Sequence, residues 1–239
     1  MSSPLHGTAP EAKLRTLVIF DFDGVLVDSE VISLATLRES LADFGAPMTG
    51  AQVRETFLGG SIRQINAFLQ TVATPAYPPE DFEARWYATL FARFRAELQV
   101  MPGVPALLDH LDAQGHGYCI ASGGSVERLG VALQVTGLAA RFGDRVYSAD
   151  LVARGKPAPD IFLLAAHEMG VQPDRCIVIE DSPAGVQAAR AAGMRALGFT
   201  GGSHLSERKA EHGALLKSLH AEDIFEDFGL VRDWISRSS

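Results

Sequence analysis

The sequence is short of several things, and each shortage excludes a class of protein. It has two cysteines in 239 residues, and four lysines: Lys13, Lys156, Lys209 and Lys217. With 21 Lys and Arg against 29 Asp and Glu, a formal charge of −8, it has no basic block of the kind a phosphate backbone attracts, so no nucleic-acid partner is expected. Cys119 and Cys176 fall inside predicted buried strands and read as small hydrophobes, not as a disulfide. That fits a reducing compartment, and the expected localisation is cytoplasmic. The first residues, MSSPLHGTAPEAK, contain no apolar signal core, and no run reaches membrane-spanning length, so no membrane partner is expected either. There is no internal repeat and no low-complexity segment. What is present is an apolar fraction of 47%, enough for one large domain or one domain carrying an insert, expected as a monomer or weak oligomer.

The chain is organised around Leu17 to Asp28, LVIFDFDGVLVD. Leu17 to Phe20 is an unbroken apolar run, the pattern of a strand buried on both faces of a parallel sheet. It stops at Asp21-Phe22-Asp23-Gly24. Ligands of open α/β sheets bind beyond the carboxyl ends of the strands, which would set both carboxylates at the mouth of a site. Two acids so placed need an offsetting charge, and a divalent cation supplies it. Alone, the same four residues also read as a surface turn containing two acids.

Beyond Asp28 the pattern turns helical. Helices are predicted over Ser29 to Phe44, Ala51 to Leu58, Ser61 to Val72 and about Glu80 to Leu98, with Gly59-Gly60 and a Pro-rich loop at Thr74 to Pro79 as breaks. No strand signal interrupts them. From Pro102 strands and helices alternate. Strands are predicted at Tyr118 to Ala121, Arg145 to Ser148, Cys176 to Ile179 and, as the last, Arg195 to Phe199. Helices are predicted at Val104 to Gln114, Val126 to Val135, Pro159 to Met169, Pro183 to Ala192 and Ser206 to Leu219. The expected fold is α/β: a doubly wound, Rossmann-like parallel sheet with an inserted all-helical domain. The division is a tail at 1–16, a core at 17–28 and 101–239, and a helical insert at 29–100.

Three predicted strands end in polar groups: Asp21 and Asp23, Ser122, and Glu180 with Asp181. Lys156, the only lysine between the chain's two ends, lies in a loop between the last two. If these strands are parallel neighbours, the groups converge on one edge of the sheet. Acids gather around a metal. A hydroxyl, the amides of Gly123 and Gly124 at a helix start, and one lysine hold a phosphate. Each also has a bland reading: Ser122 as a helix cap, Lys156 as a solvated charge, Glu180-Asp181 as first-turn acids. Their joint order at strand ends favours the site. His167, on a helix face with Phe162 and Leu163, reads as structural, and Trp86 and Tyr87 as packing within the insert. His204 lies near a strand end, at the margin of the site.

FDFDGVLVDSE, ASGGS, GKPAPDIF and VIEDSPAGVQAARAAGM resemble the four motifs of the haloacid dehalogenase superfamily, in order and spacing. The helical insert resembles the small cap of the branch containing β-phosphoglucomutase and the sugar-phosphate phosphatases. The resemblance implies Asp21 as nucleophile, Asp23 as general acid and base, and Ser122, Gly123 and Lys156 as phosphate ligands. It implies Mg²⁺ on Asp21, Asp23 (through its carbonyl), Asp181 and Glu180, the last directly or through water. The family often has Asn or Ser after the motif-two hydroxyl, where this chain has Gly123. FLGGSIRQI, Phe57 to Ile65, resembles the cap's specificity loop, with Arg63 as its cation and substrate candidate. The implied activity is hydrolysis of a small phosphorylated sugar, polyol or sugar acid. A phosphosugar mutase is the alternative, but its cap histidine aligns with Ser33 and its cap lysine has no counterpart. That missing lysine also disfavours a phosphonoacetaldehyde hydrolase, and Asp23 disfavours a dehalogenase. A phospho-accepting signalling domain shares the acids and lysine but is half this length and has no helical insert.

Overall fold

The computed structural model describes residues 15–58, 62–72 and 78–238. Six strands form one sheet: β1 (Leu17–Phe20), β2 (Gly117–Ser122), β3 (Val146–Ser148), β4 (Cys176–Glu180), β5 (Arg195–Phe199) and β6 (Asp223–Phe225). Their order is β3-β2-β1-β4-β5-β6, and every pair is parallel. The chain steps outward from β1 to β3, then returns to β4 on the other side of β1. The strand order therefore reverses between β1 and β4, where such sheets hold their ligands.

Alternation along β1 builds both layers of the core. Val18 and Phe20 face α5 (Val104–Gln114), α6 (Val126–Thr136) and α11 (Phe228–Ser238). Leu17 and Ile19 face α8 (Asp160–Glu168), α9 (Pro183–Ala191) and α10 (Lys209–Ser218). All four side chains are fully buried, as a strand covered on both faces requires. Cys119 and Cys176 are buried free thiols in the second layer.

Among the described residues, four α-helices form the cap: α1 (Glu30–Asp43), α2 (Gly50–Phe57), α3 (Ile62–Leu69) and α4 (Phe82–Glu97). An aromatic run ties the end of α1 to α4. Phe44 meets Phe82 edge-on at 5.0 Å, and Phe82, Trp86, Tyr87 and Phe91 stack in sequence along α4. The two chain crossings between cap and sheet lie side by side. Val27 bridges Val100 antiparallel, Asp28 N–H donates to the Gln99 carbonyl at 3.1 Å, and Met101 N–H to that of Leu26 at 2.9 Å.

The expected fold class is the observed one. Several elements differ from expectation. β5 is not the last strand, because β6 adds a three-residue edge, too short to show a period. α7 (Ala139–Phe142), a single turn, was also not predicted. The helix expected from Ser206 begins at Lys209, with a 3₁₀ turn at Ser203–Leu205 before it, and the last helix is α11. Most of the expected tail, the Gly59-Gly60 break with Ser61, and residues 73–77 of the Pro-rich loop lie outside the described residues.

Candidate active site

The ends of β2, β1 and β4 are neighbours, so Ser122, Asp21 and Glu180-Asp181 stand at one edge of the sheet. Asp21 N–H continues the ladder to the Ile179 carbonyl at 2.9 Å. The chain then turns sharply: Gly24 N–H bonds the Val27 carbonyl at 2.9 Å, and Gly24 has φ +77°. A Cβ there would stand 2.3 Å from Asp181 Oδ2, so only glycine lets the β1 loop approach β4 this closely.

Lys156 is the hub of the acids. Its Nζ donates to Asp21 Oδ1 at 2.6 Å, Glu180 Oε1 at 2.5 Å and the Ala121 carbonyl at 3.0 Å. Burial works against its charge, but the Asp21 and Glu180 carboxylates outweigh burial and hold its pKa above the usual lysine value. Glu180 is fully buried, and its other oxygen accepts from the Ser182 amide and hydroxyl, both at 2.9 Å. Ser182 also caps α9 through Gly185 N–H at 3.0 Å, so one serine ties the strand end to the helix start.

Among the described residues, Asp21, Glu180 and Asp181 form a buried group whose carboxylate oxygens lie within 4.8 Å of one another. Burial pushes the Asp21 carboxyl well above the usual range; Lys156 pulls the other way, and Glu180 and Asp181 add to the rise. Burial, then Glu180, do the same to Asp181. Three such acids with one lysine carry an excess of negative charge that a hard divalent cation would offset, and an all-oxygen donor set suits Mg²⁺. The residues fit that ion.

On the other side of the mouth, Ser122 is buried and its Oγ accepts from Gly124 N–H at 3.0 Å, leaving its own proton to donate. Ser125 caps α6 through Arg128 N–H at 3.3 Å. Asp23 Oδ1 accepts from Ser29 Oγ at 2.5 Å and from the Arg128 guanidinium at 2.7 Å. The same Arg128 nitrogen reaches Ser33 of α1 at 3.1 Å, and its guanidinium lies over the Phe94 ring of α4 at 5.7 Å.

Between sheet and cap lies a cleft of about 310 Å³. Gly123, Gly124, Arg128 and Lys156 line it from the core, and Ile62, Arg63, Trp86 and Tyr87 from the cap. Arg63, the substrate candidate, is among the lining residues. Trp86 and Tyr87 correct the reading of them as packing alone: they pack, and they also wall the cleft, with Tyr87 Oη 3.3 Å from Ser125 Oγ across the cap–core boundary. His167 is exposed. His204 proves to touch the site, its Nε2 being 3.1 Å from Asp181 Oδ2. Burial lowers its pKa.

Sequence reasoning passed over Arg128 and Glu30. Burial, then the Asp23 charge, raise the Glu30 pKa to about 7 in spite of Arg128. Both residues sit in the first turn of a helix that starts at the mouth, and that placement was the available signal.

Residues 16–193 match the family model described as haloacid dehalogenase-like hydrolase. The chain belongs to that family. It is 34% identical over 221 residues to a probable pseudouridine-5'-phosphatase of Drosophila melanogaster, covering 90% of this chain and 94% of that one. It is 29% identical to the 6-phosphogluconate phosphatase of Escherichia coli K12, over 78% of this chain and 83% of the relative. It spans only 20% of the length of another relative, the chloroplastic SUPPRESSOR OF QUENCHING 1 of Arabidopsis thaliana, at 31% identity over 90% of this chain. Among solved structures, a HAD family hydrolase from Deinococcus radiodurans with bound phosphate and sodium superposes with a TM-score of 0.74. That pair is 31% identical, over 95% of this chain and 97% of the other. As a haloacid dehalogenase-like hydrolase, the chain carries its four motifs on the three adjacent strand ends and the Lys156 loop.

Proposed function

We propose that this protein is a Mg²⁺-dependent phosphatase that hydrolyses a small phosphorylated sugar, polyol or sugar acid through an aspartyl-phosphate. The protein is a phosphatase acting on phosphorylated metabolites, as its family and relatives support. The finer reading rests on one juxtaposition: Asp21 at the end of the central strand, with Lys156 on one oxygen and Asp23 two residues on. Asp21 attacks phosphorus in line, and the bond to the ester oxygen breaks. Asp23 gives its proton to the leaving alkoxide. It then takes one from the water that attacks the phosphorus of the aspartyl-phosphate; the bond to Asp21 breaks, and inorganic phosphate leaves. Ser122, Gly123 N–H and Lys156 hold the oxygens of the phosphoryl group in transfer. Asp21, the Asp23 carbonyl and Asp181, with Glu180 beside them, would hold Mg²⁺, which supplies charge neutralisation at the phosphoryl oxygens.

The cap selects. Arg63 is a guanidinium at the cleft, able to bind a carboxylate or adjacent hydroxyls bidentately, and Trp86 and Tyr87 offer an apolar wall to a sugar's CH face. The mutase reading lacks support: Ser33, at its cap histidine's position, is engaged by Arg128, and no lysine lies between Asp21 and Gly155.

The test is a screen of phosphorylated metabolites with Mg²⁺, following phosphate release, on the wild type and Asp21→Asn. Turnover is expected for the wild type, lost in chelator, restored by Mg²⁺ and absent in the variant. Ca²⁺ should inhibit, because its looser coordination misplaces the attack. Appreciable turnover by Asp21→Asn would end the mechanism.

A further inference from the structure

Asp181 is held at two points by residues outside the four motifs. His204 Nε2 lies 3.1 Å from its Oδ2, and His212 Nε2 lies 2.6 Å from its backbone oxygen. A carbonyl oxygen only accepts, so His212 carries its proton on Nε2. Both histidines follow β5, one on the 3₁₀ turn at Ser203–Leu205 and one on α10. That stretch is itself fastened to the β1 loop. Ser203 N–H donates to Asp28 Oδ1 at 3.2 Å, and Ser203 Oγ donates to Asp28 Oδ2.

The His204 ring has little room to turn. A Cβ on Gly24 would stand 2.8 Å from its Cε1, and one on Gly202 would stand 2.7 Å from both Cε1 and Nδ1. Its side chain is only 4% exposed, so it is sealed from solvent. Asp181 shares a buried pocket with Asp21 and Glu180, and mutual repulsion would turn its carboxylate away from them. An imidazole nitrogen packed 3.1 Å from Oδ2 opposes that rotation and leaves the other oxygen for a cation.

We propose that His204 is a positioning residue for the cation site: it aims the Asp181 carboxylate, while His212 fixes the backbone of the same residue. The inference rests on the acidic cluster being a Mg²⁺ site, and it concerns binding, not the chemical step. Outer partners of metal ligands are worth about 10–100-fold in metal affinity.

The experiment is calorimetric titration of the full-length protein with Mg²⁺, without substrate, for the wild type, His204→Ala, His204→Gln and His204→Phe. His204→Ala is expected to bind Mg²⁺ about 10–100-fold more weakly. His204→Gln, which keeps an amide donor, should recover part of the loss. His204→Phe, which keeps the ring's bulk without a donor, should not. In steady state the Mg²⁺ concentration for half-maximal turnover of an aryl phosphate should rise by the same factor, with kcat at saturating Mg²⁺ close to wild type. If His204→Ala does not fold, the Gln and Phe variants decide, since they fill the space alike and differ in the donor. Wild-type affinity in His204→Ala, or equal affinities for Gln and Phe, would overturn the assignment. A wild type that binds no Mg²⁺ would overturn the cation reading itself, a separate failure visible in the first titration.

Discussion

In the proposed mechanism Asp23 transfers the proton, and its surroundings hold it for that step. Its Oδ1 is shared by the Ser29 hydroxyl and the Arg128 guanidinium, so the side chain is fixed before any substrate arrives. Asp23→Asn should slow an alkyl phosphate by the 10²–10⁴-fold typical of a general acid, at roughly the upper end. An aryl phosphate, whose leaving group needs little protonation, should lose much less in the first step. Rapid-quench measurement of aspartyl-phosphate formation on both esters checks this, and equal losses would remove Asp23 from that role. Of the residues around it, the sequence disclosed the carboxylates and Lys156, because strand-end acids and a solitary lysine stand out in linear order. Arg128 did not stand out. Between Glu127 and Leu129 on an amphipathic helix it looks like any solvated arginine, and only the fold turns it toward Asp23. Glu30 was hidden for the same reason, since a first-turn acid is ordinarily a partner of the helix dipole.

At the level of elements, β4 and α9 meet more tightly than the sequence suggests. A Cβ on Gly185 would stand 1.8 Å from Glu180 Oε1, inside the pocket that also holds Lys156. Gly185→Ala must displace Glu180. It is expected to destabilise the protein by about 1–3 kcal/mol, as overpacking does, and to reduce turnover through Lys156. Urea unfolding with and without the substitution measures the first, and a denaturation midpoint unchanged from wild type would contradict it. On the cap side, Arg63→Ala in α3 should lower kcat/KM for the physiological metabolite while sparing a small aryl phosphate, because only the metabolite reaches the cap. Equal losses on both would place Arg63 in cap closure instead. Elements with a strong apolar run or helical spacing were legible nearly residue by residue: β1, β5 and α5 carry the bounds expected of them. β6 and α7 were not, since DIF and AARF carry neither an unbroken apolar run nor a helical repeat.

For the molecule as a whole, the buried acids set how stability depends on pH. Asp21 and Asp181 hold protons well above their ordinary values, and Glu30 to about 7. Across that window the folded chain binds more protons than the unfolded one, so these groups make stability fall as pH rises. Burial lowers the pKa of His204 and of His116, and these act in the opposite sense, raising stability as pH climbs through their unfolded value of 6.5. Above that value the histidine contributions are spent and the acids prevail. In chelator the melting temperature should therefore decline as pH rises from 6.5 through about 7, the value Glu30 reaches, and Mg²⁺ should flatten the decline by taking the place of the protons on Asp21 and Asp181. A chelated protein that gains stability over that interval would refute the assignment.

The paired crossings between cap and sheet have a consequence for how such a chain can change over generations. Since Val27 and Val100 are bridge partners, the two ends of the cap lie about 5 Å apart, the ordinary spacing of an antiparallel pair. A hairpin turn of two residues could span that gap. Everything from Asp28 to Gln99 is thus a cassette. It can be lengthened, exchanged or lost by recombination at one point of the backbone, without altering the register of β1 against β2 and β4. On the proposed reading, the apparatus that breaks the phosphate ester and the apparatus that chooses its owner can be inherited separately.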